Sequence, residues 1–389
     1  MQKKIKYGRQ DVSEADINAV ISVLRSDWLT QGPLGPKFEK TVAAYCGAGY
    51  GVATNSATSA LHVACLALGV GKGDIVWTSA NTFVASSNCA LYCGASVDFV
   101  DTDPDTYNIS VECLSEKLVS AEKLGKLPKV VIPVHLNGQS CDMAEISSLS
   151  EKYGFKIIED ASHAIGGRYK NKHVGNGLYS DITVFSFHPV KIITTGEGGM
   201  AVTNSEKLAR RLTLFRSHGI TSEINEMEPR SLDEIWNYQQ IELGFNYRMT
   251  DIQAALGLNQ MERLDEFVKR RNFIAQRYNE ELRSLPLQLP MQKIDTYSAY
   301  HLYPIRISRE KTNISQKQTY RLLNEDGIQA NLHYIPVYRQ PYYERLGFKK
   351  GYCPEAERYH QDAISIPMYS SLSEADQNKV ISVLHEILG

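Results

Sequence analysis

Between residues 50 and 204 the chain alternates short apolar runs with stretches of helical spacing, a pattern that few folds accept. The runs fall at 51–53, 75–78, 97–100, 130–134, 156–159, 182–185 and 200–203. Helical stretches such as 57–68 and 142–153 separate several of them, with Gly154 placed as a C-cap. Parallel strands need long crossovers, usually helices, so this alternation predicts an α/β fold with a mostly parallel sheet flanked by helices. Ligands in such sheets sit beyond the carboxyl ends of the strands. The polar runs after the strands are therefore where chemistry is to be sought.

Outside this region the pattern changes. Ser13 before Glu14-Ala15-Asp16 resembles a capping box, and Ile17, Val20, Ile21 and Leu24 then form one apolar helical face. Thr250 starts a long amphipathic helix running to about 282, followed by a break at 285–290. Residues 291–389 read as strand, helix, strand and a final helix capped by Ser373. A chain of 389 residues exceeds what one core usually serves. The predicted division is a large domain over 1–265 and a small α+β domain over 266–389.

The net charge of −2, without a basic stripe, argues against a nucleic-acid partner. The basic N-terminus lacks an apolar stretch behind it, and no apolar run approaches the roughly 18 residues of a membrane helix. The seven scattered cysteines do not form a disulfide framework, and the expected compartment is the cytoplasm. Cys89 and Cys93 make a lone C-x3-C with no second pair and no histidine nearby in sequence, so burial is expected there and no metal site. There is no Walker A, G-x-G-x-x-G or H-E-x-x-H motif.

Three polar clusters follow predicted strands. The first, Thr54-Asn55-Ser56-Ala57-Thr58-Ser59-Ala60-Leu61, joins a strand to a helix start. Small residues and helix-start N–H groups suit a phosphate, although an ordinary N-cap looks the same. The second is Ile157-Ile158-Glu159-Asp160-Ala161-Ser162-His163-Ala164. A carboxylate at Asp160 would need a cationic partner such as a pyridinium nitrogen, or it could simply cap a following helix. The third is Ser186-Phe187-His188-Pro189-Val190-Lys191, continuing through Ile192-Ile193-Thr194-Thr195-Gly196-Glu197-Gly198-Gly199. Lysines are mostly surface residues, but apolar and small neighbours around Lys191 leave open a desolvated amine with a depressed pKa, able to attack an aldehyde.

Taken together, in this order and spacing, the clusters resemble the sugar aminotransferase family of fold-type I pyridoxal-phosphate enzymes. The resemblance extends over almost the whole chain, including Asp27-Trp28-Leu29-Thr30-Gln31-Gly32-Pro33 and Gly244-Phe245-Asn246-Tyr247-Arg248-Met249. Within the family the chain is similar to the 4-aminotransferases of the pseudaminic acid pathway. That likeness lies in Tyr7-Gly8-Arg9-Gln10, residues 28–33, Trp236-Asn237-Tyr238 and residues 333–343. It implies pyridoxal 5'-phosphate as cofactor, a UDP-linked 2-acetamido-2,6-dideoxy-4-keto-hexose as acceptor and glutamate as donor. Another nucleotide-linked 3- or 4-keto sugar is the alternative acceptor, and a non-catalytic nucleotide-sugar sensor the remote one.

The resemblance also implies residue roles. Lys191 is the catalytic lysine that links to the cofactor, and Asp160 pairs with its pyridine nitrogen. Phe83 stacks on its ring, and His163 contacts the ring hydroxyl where many relatives have Gln. Ala57 (Gly in many relatives), Thr58, the Ser59 backbone and Ser186 hold its phosphate. Asn246 reaches that phosphate from a neighbouring subunit, which implies a homodimer with shared sites. Tyr7, Asp27, Trp28, Leu29, Thr30, His333, Tyr334, Ile335 and Pro336 match substrate-contacting stretches, beside Ala57, Ser186 and Asn246. Arg216 and Arg248 are candidates for the glutamate carboxylates, with surface salt bridges as the alternative. Related sugar dehydratases carry histidine at the lysine position, so Lys191 speaks against dehydration.

Overall fold

A computed structural model describes residues 4–229 and 237–389. All seven expected strands form: β1 (Tyr50–Thr54), β2 (Ile75–Ser79), β3 (Ser96–Val100), β4 (Val130–Ile132), β5 (Lys156–Asp160), β6 (Ile182–Ser186) and β7 (Gly199–Thr203). They make one sheet in the order β1-β7-β6-β5-β4-β2-β3. β6, β5, β4, β2 and β3 are parallel, while β7 runs antiparallel to both of its neighbours. The middle strands are buried along nearly their whole length, which is why they read as continuous apolar runs and do not alternate.

Helices cover both faces. Ala57–Ala67 and Ala85–Tyr92 pack with Val76, Ile158 and Val184 in one core, and Met143–Tyr153 packs on the other side with Trp77, Val131 and Ile157. Gly154 ends the last of these at φ 78°, a left-handed cap that costs glycine nothing. The expected long helix from Thr250 is two helices, Asp251–Glu262 and Leu264–Glu281. Arg263 leaves helical geometry at the junction, where its guanidinium pairs with Asp11 and Asp16.

The first helix, Glu14–Leu24, carries the expected Ser13–Asp16 capping box. Its apolar stripe, however, does not face this chain's core. Ile17 and Leu24 are exposed, and the helix docks instead through Val23 and the fully buried Asp16. Asp16 accepts from Arg263 Nη2 (2.6 Å) and Gln260 Nε2 (2.8 Å), and this polar anchor orients the helix.

A second, three-stranded antiparallel sheet joins Leu287–Gln288, Tyr303–Ile307 and Ala363–Ile366. Helices Gln316–Glu325 and Glu374–Leu388 pack on it around Ile305, Leu323, Ile364 and Leu384. The break expected at 285–290 thus contributes an edge strand. Residues between 337 and 356 return to the main sheet, where Val337, Tyr338, Tyr343, Cys353 and Ala356 join the core of Val76 and Phe99.

Candidate active site

The ends of β1, β5 and β6 meet at one edge of the sheet. Gly199, at the start of β7, lies opposite both Thr54 and Ser186. A Cβ on Gly199 would come within 2.5 Å of the backbone of Ser56 and Ala57, so the turn after β1 can rest on β7 only because that position is glycine. Asp160 closes β5, opposite Val184 of β6. The three expected clusters therefore open on one cavity of about 490 Å³.

Ala57 and Thr58 line its floor at the start of the helix Ala57–Ala67. The N-terminal end of that helix dipole faces the cavity, the arrangement that favours a phosphate. Ser59 turns away: its N–H donates to Ser56 Oγ (3.1 Å) and its hydroxyl to Asn55 Oδ1 (2.6 Å). Ser186 also lines the cavity.

Lys191 sits on the turn after β6. That turn is closed by Phe187 N–H donating to Gly198 O (2.9 Å) and Thr195 N–H donating to Phe187 O (3.0 Å). Burial pulls the Lys191 ammonium down to about 8, against the pull of the Asp160 charge in the other direction. At that value roughly a tenth of the amine is neutral at pH 7, far more than for an exposed lysine.

Asp160 is 4% exposed, and no helix follows it that it could cap. Its Oδ2 accepts from Ser86 Oγ (2.6 Å), and its Oδ1 accepts from Ser162 Oγ (2.5 Å) and Ser162 N–H (3.1 Å). Among the described residues no cation forms a salt bridge with it. A buried carboxylate held only by hydroxyls and an amide still has strong demand for positive charge.

The opposite wall comes from the second half of the chain. His333 stacks its ring 5.3 Å from Tyr7, and its Nδ1 is 2.9 Å from Ser365 Oγ. Tyr334 N–H donates to Asn81 Oδ1 (3.1 Å), tying this wall to the end of β2. The Tyr334 hydroxyl lies 3.3 Å from His163 Nε2, and His163 packs on His301 at 4.3 Å between ring centroids. Burial, then the Lys191 charge, keeps His163 neutral well below its ordinary range, and the same causes take His333 to about 3. Phe83 stands on the rim, exposed, with its ring 6.1 Å from that of Tyr334.

Other expected residues lie elsewhere. Asp27, Trp28, Leu29 and Thr30 are exposed, and Thr30 bridges to Thr250. Asn246 is exposed and bridges to Ser217. Ile335 is exposed and Pro336 buried, both outside the cavity lining. Arg216 donates to Glu39 and to Ala53 O, and with Arg248 it lines a separate cleft. Trp236 lies outside the described residues. Sequence reasoning missed Ser86, Ser162 and His301. Ser162, two residues past Asp160, carried a local turn signal, whereas His301 carried none.

A family model of DegT/DnrJ/EryC1/StrS aminotransferases matches residues 10–385. The chain belongs to this family. It is 36% identical over 387 residues to the UDP-4-amino-4,6-dideoxy-N-acetyl-beta-L-altrosamine transaminase of Campylobacter jejuni, covering 99% of this chain and 97% of that protein. Helicobacter pylori PseC, an aminotransferase of pseudaminic acid biosynthesis, superposes with a TM-score of 0.89 at 29% identity, covering 99% of each chain. The PLP form of a putative sugar aminotransferase from Streptococcus pneumoniae superposes at 0.87 with 28% identity, covering 99% of this chain and 100% of that one. The protein is thus a sugar aminotransferase that uses pyridoxal 5'-phosphate.

The cavity fits that cofactor. His163 Nδ1 and Asn81 Nδ2 are buried polar atoms without a hydrogen-bond partner among the described residues. His163 and Asp160 line the cavity and leave polar capacity unused beside it, together with a lysine and a helix start suited to an aldehyde and a phosphate. Among the described residues no helix is long and apolar enough to cross a membrane.

Proposed function

We propose that this aminotransferase moves the amino group of glutamate to C4 of a UDP-linked 2-acetamido-2,6-dideoxy-4-keto-hexose, in pseudaminic acid biosynthesis. The observation that carries the chemistry is that Lys191, with its depressed pKa, and Asp160 line the same cavity. The choice of sugar is supported by the Campylobacter relative, which is named for a UDP-linked 4-amino-4,6-dideoxy sugar, the kind of product this transfer would give.

When bound, the cofactor supplies a protonated pyridine ring that takes up the electron pair left by a broken C–H bond. Asp160 would accept a hydrogen bond from the ring nitrogen and so keep its proton in place. The neutral Lys191 amine takes the proton from Cα of glutamate and later returns one at C4 of the sugar. His163, held neutral, would meet the ring hydroxyl, Phe83 would stack on the ring, and Ala57, Thr58 and Ser186 would hold the phosphate. Tyr7, His333 and Tyr334 line the cavity and would contact the sugar nucleotide, whereas residues 27–30, Ile335 and Pro336 stand outside that lining.

Asn246, exposed and outside the cavity of its own chain, would serve a partner's phosphate in a homodimer. Exposed Ile17, Leu24, Trp28 and Leu29 provide apolar surface for such a contact. We further read 1–265 as the cofactor-binding domain and 266–389 as the small domain, with 337–356 reaching back to the main core. All seven cysteines are free thiols, which suits the cytoplasm.

The test is incubation with cofactor, glutamate and a panel of UDP- and GDP-linked 3- and 4-keto sugars, with products identified by mass and NMR. Nitrogen on C4 of the UDP-linked 4-keto sugar, at higher kcat/KM than on any other member, is expected. Preference for a 3-keto or GDP-linked sugar would move the enzyme to another branch of the family.

A further inference from the structure

Arg271 lies on the helix Leu264–Glu281 and is 1% exposed. Among the described residues no carboxylate pairs with it. Its Nη1 instead lies within hydrogen-bonding distance of three carbonyl oxygens, those of Tyr300 (3.1 Å), His301 (3.2 Å) and Met368 (3.0 Å). Its Nε has no partner among the described residues. Burial brings the guanidinium down to about 10. A buried cation without an acid is costly, and an apolar side chain of similar volume would fill the space without that cost. What the charge holds is therefore the question.

The three carbonyls mark where the second sheet meets the cavity. Tyr303 of the strand Tyr303–Ile307 faces Ile366 of the strand Ala363–Ile366. Residues 300–301 lead into the first strand and Met368 follows the second, so both lie past the same end of the pair. The turn leading in is tight. Tyr300 adopts φ 45°, left-handed for a residue with a side chain. Ala299 N–H donates to Gly138 O (3.0 Å), and a Cβ on Gly138 would come within 2.7 Å of Tyr300 N. This turn sets the His301 ring 4.3 Å from that of His163, and both line the cavity. On the other side Met368 N–H donates to Tyr7 O (2.9 Å), and Tyr7 lines the cavity beside the His333 ring. Arg271 itself stays outside the lining.

We propose that Arg271 is a positioning residue: its guanidinium clasps the two segments that set His301 against His163 and hold Tyr7, and so fixes the wall met by the cofactor ring and the sugar nucleotide. This rests on the roles proposed above for His163 and Tyr7. A planar fork has fixed donor directions and can hold two segments in one arrangement, whereas a lysine ammonium is a point charge on a flexible stem. An apolar residue would leave the strand-end carbonyls without a donor. The wall would then relax, and small displacements of a bound ring or sugar are felt in the reaction.

The test compares cofactor-loaded wild type with Arg271→Lys, Arg271→Gln and Arg271→Met. Leu282→Ala, a buried position at the far end of the same helix, is the control for lost stability alone. Three properties are measured: the visible circular dichroism of the bound cofactor, the Kd of pyridoxal 5'-phosphate for the cofactor-free protein, and kcat and KM for the UDP-linked 4-keto sugar. In Arg271→Met the KM is expected to rise on the order of tenfold with kcat within a few fold, together with a changed cofactor band and a weakened Kd. Arg271→Gln and Arg271→Lys should fall between it and wild type, with lysine the nearer to wild type. Leu282→Ala should lose thermal stability but keep the band, Kd and KM. Should Arg271→Met fail to fold, the glutamine and lysine variants decide. Folded variants at 271 with wild-type band and KM, or changes of equal size in Leu282→Ala, would reduce Arg271 to a structural residue and overturn the proposal. Failure of the underlying readings shows elsewhere: in the wild type's choice of sugar, and in His163→Ala, whose band should differ from wild type. The cofactor band does not depend on which sugar is accepted, so it decides on Arg271 in either case.

Discussion

Glu159 and Asp160 are neighbours on β5 with the same chemistry, yet the pleat sends them to opposite faces of the sheet. Glu159 points into packed interior. His135 Nε2 lies 2.7 Å from its Oε2, and Ser180 Oγ (2.5 Å) and Thr183 Oγ1 (3.0 Å) donate to its Oε1. His135 Nδ1 accepts from Cys141 N–H, so Nε2 carries the proton. Asp160 faces the cavity with only serine donors around it. One carboxylate is saturated and structural, whereas the other keeps electrostatic demand for a ligand. What separates a functional acid from a buried one here is what remains for it to bind.

That contrast can be broken at three points. The largest effect is expected at Lys191, across the cavity from Asp160. Lys191→Ala should lower amino transfer by at least about 10⁴-fold while leaving the thermal midpoint of the cofactor-free protein unchanged or higher. Repeated turnover with glutamate in this variant would remove the lysine from the chemistry.

Next comes Asp160→Asn, which keeps the shape but discards the charge. A drop in kcat of about 10²–10³-fold with little loss of stability is expected. If instead the midpoint falls and kcat holds, Asp160 is a structural acid like its neighbour.

The smallest effect on activity belongs to Glu159→Gln. Its cost is expected in stability, about 1–3 kcal/mol, with kcat per folded molecule within a few fold of wild type. Burial alone would raise the Glu159 pKa, but the hydrogen bonds from His135 and the two hydroxyls bring it below the ordinary value. Between that lowered value and the unfolded value of about 4.3, the unfolded chain binds more protons. Stability from Glu159 is therefore full above that window and is lost as the pH falls through it. Acid unfolding of Glu159→Gln should be correspondingly less steep there, and identical acid slopes would count against the pairing.

Much of this was legible beforehand where the information is local. Strand positions followed from apolar runs, and the Ser13 capping box and Gly154 from short-range signals. The three polar clusters stood out by falling where parallel strands end. Residues whose importance arises from distant contacts were not legible. His301 acquires a role only because its segment folds back over His163. Ser86 does so because its helix places a hydroxyl beside Asp160, 74 residues along the chain. The apolar stripe of the first helix gave the wrong facing, since periodicity reports a stripe but not the surface that covers it.

The amino-acid order by itself determined the sheet, the strand ends and the candidate lysine and carboxylate, because backbone propensity and burial pattern act over a few residues. Only the tertiary structure decided which of two adjacent acids remains unsaturated and which wall closes the cavity. Those outcomes depend on through-space contacts and desolvation between segments far apart in the chain.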